Sequence, residues 1–314
     1  MEHRKIIKFG KSSYVISLPN EWVKKNKLEK GDTIYCENDK KDELTLKVNN
    51  NEEEKNAKIV INTKGKDDER IEREIISAYI NDYSTIEVIG GIIEVNQIEE
   101  IVHNLIGLDI IEQTSSTIII KNFLELKDIS IKDSMRRLDT TVRSILIDSK
   151  ECISGNMSYE EIYRRDFNVN KTRILIFKLL RHPAMISKIE KEFEKEEINI
   201  LDLFFLNFNL ELIADEAKRI AKHSNTAKLS KEERNNVRKI FEYIEASYLE
   251  VMKGFYKRDK EFAHKAASEK YKIIDACREL LEKTTNKYTV QIVENLKGME
   301  RGVRDITRLV IDLK

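Results

Sequence analysis

The chain has 314 residues, 40% apolar and 36% charged, with only 2 Pro and 10 Gly, which leaves room for about two to three helix-rich globular domains. A formal net charge of +0 excludes a global field for nucleic acid, so any such site must be a local patch. Cys36, Cys152 and Cys277 form no CxxC pair, which argues against disulfides and a zinc finger. With no charged-then-apolar leader and no apolar run of about 18 residues, a cytoplasmic protein is expected, neither secreted nor membrane-spanning.

Lys5 to Phe9 is extended in character, Gly10 to Ser13 a turn, and Tyr14 to Leu18 a β-rich run stopped by Pro19. Pro19 to Asn26 reads as a short helix with Trp22 and Val23 inward, and Gly31-Asp32 as a turn. Thr33 to Glu37 and Glu43 to Val48 alternate like a hairpin. Such short strands bury too little surface to stand alone, so the unit is expected to complete its core with a second copy. Arg4, Lys5, Lys8, Lys11, Lys24, Lys25, Lys27 and Lys30 outnumber Glu2, Glu21 and Glu29 here. That is either a binding patch or the solvated face of a Lys-rich protein.

Arg4-Lys5-Ile6, Gly10 to Pro19, Trp22-Val23, Leu28 and Lys30-Gly31-Asp32 together resemble the AbrB/SpoVT/MazE family. The resemblance implies a dimeric swapped-hairpin β-barrel over residues 1–50 that binds DNA. It points to Arg4, Lys5, Lys8 and Lys11 as DNA-facing residues, with Ser12 and Ser13 as phosphate contacts. Lysine suits phosphates better than base edges, which Arg reads, so weak sequence specificity is expected. Some relatives use this fold as an antitoxin or only to dimerise.

Asn49 to Lys55 is a polar, acidic linker. Beyond it, Lys58 to Thr63 reads as strand, and Asp67-Asp68-Glu69 opens a helix to about Asn81, acids at its positive end. Thr85 to Ile89 is strand, ended by Gly90-Gly91. A helix capped by Asn96 runs to Ile106 and stops at Gly107. Ile110 to Gln113 and Thr117 to Asn122 pair across Thr114-Ser115-Ser116. The order β-α-β-α-β-β predicts a small α/β domain of ferredoxin-like type over residues 56–125. Nothing in it reads as catalytic, and His103 is a structural histidine.

From Ser130 onward the periodicity is helical. Helices are expected over Ser130 to Ile153, Tyr159 to Leu180 (stopped by His182-Pro183) and about Ile198 to Lys222. Three more are expected: one opening at the Ser230/Glu233 capping box and running through Phe255, one over Lys260 to Lys283, and one over Tyr288 to Leu313. In the last, Leu296, Met299, Val303, Ile306 and Val310 step by three and four, as bundles do. A pair of three-helix bundles follows, over residues 128–226 and 229–314. The most informative stretch is Leu210 to Ala221, whose Leu210, Ile213, Ala214, Ala217, Ile220 and Ala221 make one apolar stripe. Glu211 and Asp215 lie one turn apart off that stripe and repel unless a cation joins them, either Lys218 or a metal ion.

Ile198 to Ala221 resembles the ExxxD helix of the PhoU family, and Arg165-Asp166 with Val169-Asn170-Lys171 its acidic second helix. With Arg73 to Tyr79 and Leu105 to Leu108, the whole chain resembles archaeal PhoU-like regulators that carry an AbrB-type N-terminus. The resemblance implies Fe, Mn or Zn ions on the first bundle, held by Glu211, Asp215 and Asp166; carboxylates suit such ions. It implies regulation of phosphate uptake through the phosphate ABC transporter ATPase or its signalling partner. Asn170 stands where an acid is usual, and Glu216 where many relatives have His. In the second bundle Arg301 takes the place of the first acid before Asp305, so no metal cluster is expected there. Arg301/Asp305 and Glu300/Arg304 read as surface ion pairs.

His3, His103, His182, His223 and His264 are scattered, and no GxSxG, Walker or Rossmann string is present, so catalysis is not expected. The expectation is a homodimeric, DNA-binding transcriptional regulator of phosphate uptake. A second is a regulator that touches only the transporter, with the barrel as a dimerisation unit. A third is an antitoxin-like partner protein, disfavoured by the long helical half.

Overall fold

A computed structural model describes residues 3–40, 43–48, 57–90, 95–227 and 229–313, and the side chains among them apart from those at 37–40, 43, 45, 47, 95 and 164–166. Contacts divide the chain into residues 1–56 and 57–314.

In the first unit, β1 (Ile7–Phe9) and β2 (Ser13–Val15) form an antiparallel hairpin that turns at Gly10, whose φ of +72° favours glycine. A short α1 (Asn20–Lys25) starts after Pro19, and β3 (Tyr35–Lys40) pairs antiparallel with β4 (Glu43–Lys47). These are two separate two-stranded sheets, not the expected closed barrel. The physical reason is that each hairpin has nothing to close over. No described side chain in this unit is buried, and Ile7, Phe9 and Tyr14 are 61%, 69% and 67% exposed.

The second unit begins with an α/β layer: β5 (Lys58–Asn62), α2 (Asp68–Ile80), β6 (Thr85–Ile89), α3 (Val95–His103), β7 (Leu108–Gln113) and β8 (Thr117–Asn122). The α2 helix starts where its acids predict: the Asp67 side chain caps it by accepting from the Arg70 amide. The element order is the expected one, but the sheet is not ferredoxin-like. Its order is β5-β6-β8-β7, with β5 parallel to β6 and the other pairs antiparallel. A ferredoxin-like sheet would insert a strand between β5 and β6. Here the tight turn at Thr114 to Ser116 forces β7 and β8 together. Then β8 joins its buried Ile118 and Ile120 to Ile86 and Val88 of β6, leaving only the far edge of β6 for β5.

The helical half follows. A first bundle comprises α4 (Ile131–Ser154), α5 (Tyr159–Arg181), a short α6 (Ile186–Glu192) and α7 (Ile200–Thr226). The second comprises α8 (Lys231–Lys257), α9 (Lys260–Ser268), α10 (Lys270–Lys283) and α11 (Lys287–Asp312). The Ser230/Glu233 capping box is formed, and Asn199 with Asp202 forms another at the start of α7. Two features differ from expectation: α6 fills the connection after Pro183, and the fifth expected helix is interrupted at Glu269 into α9 and α10. Among the described residues no helix is long and apolar enough to cross a membrane.

The α/β layer is tied to the first bundle by α5. Ile174 of α5 belongs to the apolar core of the sheet layer. Lys178, fully buried, meets Asp82 Oδ1 at 2.6 Å, donates to the Tyr79 carbonyl at 2.8 Å and lies over the Tyr79 ring. His182 Nε2 lies 3.3 Å from Asp82 Oδ2, and Asn122 donates to the same carboxylate at 3.1 Å. Burial pulls the Lys178 amine below its ordinary pKa, and Asp82 holds it part of the way back up. Asp82→Asn leaves a buried cation without its counter-charge. The expected loss is at the lower end of about 3–5 kcal/mol, because Asp82 is itself partly exposed. Without Asp82 the native amine binds its proton more weakly than the unfolded amine, so stability rises with pH as that proton is lost. Urea unfolding at rising pH should therefore show the deficit of Asp82→Asn narrowing toward about pH 10. A deficit constant with pH would contradict this account of Lys178.

Candidate functional site

The apolar stripe of α7 is buried throughout: Leu210, Ile213, Ala214, Ala217, Ile220 and Ala221 are each at 0% exposure. That stripe turns the acids toward the bundle surface, where each meets cations. Arg173 of α5 places Nε 3.5 Å from Glu211. Lys218 donates to Asp215 at 2.9 Å, and Arg219 reaches the same carboxylate at 3.4 Å. The choice left open by the sequence, Lys218 or a metal beside Asp215, therefore has Lys218 in contact. Arg219 was not named from the sequence, although its i,i+4 spacing from Asp215 offers it; Arg173 lies on another helix, and no local spacing announces it.

Glu216 faces the other way and is buried against α11. It accepts from Asn295 at 2.7 Å and from Arg219 at 3.2 Å. Two glycines of α11 make this approach possible. A Cβ at Gly298 would stand 2.9 Å from Glu216 Cδ, and one at Gly302 would stand 2.9 Å from Ile213 Cγ1. The two bundles thus meet along α7 and α11 at a separation only glycine permits. A second junction joins α4 to α8, where Tyr248 donates to buried Asp139 at 2.5 Å, Arg143 donates to the same carboxylate, and Lys150 pairs with Glu245 at 2.6 Å. None of these three pairs was predicted: Tyr248 and Glu245 lie on a distant helix from Asp139 and Lys150, whereas Arg143 stands i,i+4 from Asp139 on α4, a spacing that offered the pair.

Asp166 stands on α5 two turns before Arg173; its side chain lies outside the described residues. Among the described residues no group of three or more His, Cys, Asp or Glu converges as a metal site. Cationic side chains of Arg173, Lys218 and Arg219 stand beside Glu211 and Asp215 in this arrangement. On α11, Glu300 and Arg304 pair at 3.4 Å as expected, but Glu300 is buried rather than on the surface. Asp305 pairs with Arg308 at 3.4 Å instead of with Arg301.

In the N-terminal unit, Arg4, Lys5, Lys8, Lys11, Ser12 and Ser13 are all exposed and lie along one hairpin. Arg4 and Lys5 lead into β1, Lys8 sits opposite Tyr14, and Lys11 and Ser12 form the turn before Ser13.

No family model matches the chain, and no curated protein matches it. Among solved structures, PhoU from Pseudomonas aeruginosa aligns with a TM-score of 0.45 and 16% identity, over 58% of this chain and 90% of that one.

The glycine seam gives a direct test. Gly302→Val forces a branched side chain into the Ile213 contact and should cost about 1–3 kcal/mol in urea unfolding, as overpacking does. Parental stability in this variant would show that α7 and α11 do not approach as closely as described.

Proposed function

We propose that the chain is a PhoU-like regulator of phosphate uptake that acts as a homodimer and contacts DNA through its N-terminal unit. The observation that carries the reading is the tandem pair of helical bundles packed about α7, the helix whose Leu210 to Ala221 string resembles the PhoU family. In this reading the helical half answers to a protein of the phosphate transporter, its ATPase or its signalling partner. An apolar face at the start of α7 supports a protein contact: Leu201, Phe204, Phe205 and Phe208 are 77%, 40%, 42% and 56% exposed. Homodimerisation is supported by the N-terminal hairpins, whose large apolar side chains lack an interior in a single copy. Strands from a second copy would supply one.

DNA contact is supported by the exposed Arg4, Lys5, Lys8 and Lys11 along one hairpin, with Ser12 and Ser13 in its turn. Changing all four cations to Ala should weaken binding of short duplex DNA at low salt. It should also flatten the slope of log K against log salt by about one for each phosphate contact removed. An unchanged slope would remove the DNA function and leave the second reading, a regulator whose N-terminal unit only dimerises.

In this proposal Glu211 and Asp215 work as the acidic half of an ion-pair network with Arg173, Lys218 and Arg219, not as ligands of a resident Fe, Mn or Zn ion. Protein equilibrated with Mn(II) and then desalted should carry the same metal content as Glu211→Ala. Loss of one bound ion per chain in the variant would instead assign the acids to metal.

A further inference from the structure

The second bundle contains a cavity of about 210 Å³ between α8, the α9–α10 interruption and α11. Its floor is apolar, formed by Ile244 of α8 with Val303 and Ile311 of α11. The small residues Ala266 and Ala267, just before the interruption at Glu269, line it.

Three charged side chains stand at one end. Glu300 is buried, Arg304 pairs with it at 3.4 Å, and Lys270 enters from α10. Cations outnumber the carboxylate, and Arg308 on the rim is already neutralised by Asp305. The Arg304 Nε is buried and meets no acceptor among the described residues. A buried donor without a partner costs free energy that an incoming acceptor recovers. Burial raises the pKa of the Glu300 carboxyl, against the opposing pull of Arg304 and Lys270. An apolar cavity with a few convergent polar groups is the ordinary form of a small-molecule site, and this volume suits a small ligand.

We propose that this cavity binds a small amphipathic organic anion. Its apolar body lies on Ile244, Val303 and Ile311, and its carboxylate or phosphoryl head accepts hydrogen bonds from Arg304 and Lys270. The site uses none of the residues of the regulatory reading, Glu211 and Asp215 included, so it stands or falls independently of that reading.

Isothermal titration of the full chain with hexanoate, 1-hexanol and inorganic phosphate tests the proposal. Hexanoate should bind at one site per chain, more tightly than either 1-hexanol or phosphate. Arg304→Met keeps the apolar stem but removes the head-group donor, and should weaken hexanoate by about tenfold or more while leaving 1-hexanol unchanged. Ala267→Leu, at an exposed position on the rim, should block hexanoate without disturbing the fold, as circular dichroism will report. Absence of hexanoate binding at millimolar concentration would overturn the proposal. So would equal binding by Ala267→Leu, or phosphate binding as tightly as hexanoate.

Discussion

The close approach of α7 and α11 is the constraint on which the rest of the helical half depends. One helix is packed by α4 and α5 of its own bundle and by α11 of the next, so its buried surface cannot be a single narrow stripe. Glycines at 298 and 302 bring the backbones together, and Glu216 is buried in that contact with Asn295 and Arg219 as partners. A carboxylate so placed is tolerated only because its oxygens are met. The same geometry turns Glu211 and Asp215 to the outer side of the helix, where Glu211 meets Arg173 of α5 and Asp215 meets Lys218 and Arg219 of α7.

Charge is distributed to suit this packing. The cations beside Glu211 and Asp215 are partly exposed, so each pair adds little to stability, about 1 kcal/mol at most. They also neutralise the acidic side chains on this face of α7. The deeply buried pair, Lys178 with Asp82, has a different role. It fastens the sheet layer to α5 through a side chain with no water to turn to, and it is sensitive to any change that leaves one charge alone.

Much of this was legible from the chain. Periodicity located the long helices within a few residues, and the Ser230/Glu233 box and the His182-Pro183 stop were read from local chemistry that the fold retains. Strand pairing was less legible. The order of elements does not say which edge of β6 is free, so the sheet came out mixed rather than ferredoxin-like. The interruption at Glu269 was invisible because Ala266, Ala267 and the residues around them carry no Gly or Pro signal. Contacts across helices were the hardest: nothing near Glu211 in sequence names Arg173, and nothing near Glu300 shows that the cavity leaves it buried. The N-terminal barrel was expected from a resemblance, and the described residues of the N-terminal unit in a single copy form two separate two-stranded sheets.

The central claim is that α7 is the common core of both bundles. Native-state hydrogen exchange tests it most directly, because it resolves which segments open together. The account predicts that amides from Leu210 to Ala221 exchange only through global unfolding, with the same free energy and denaturant dependence as those around Leu296 to Val303 of α11. Exchange of the α7 amides through a separate opening of lower energy, with α11 still protected, would contradict it.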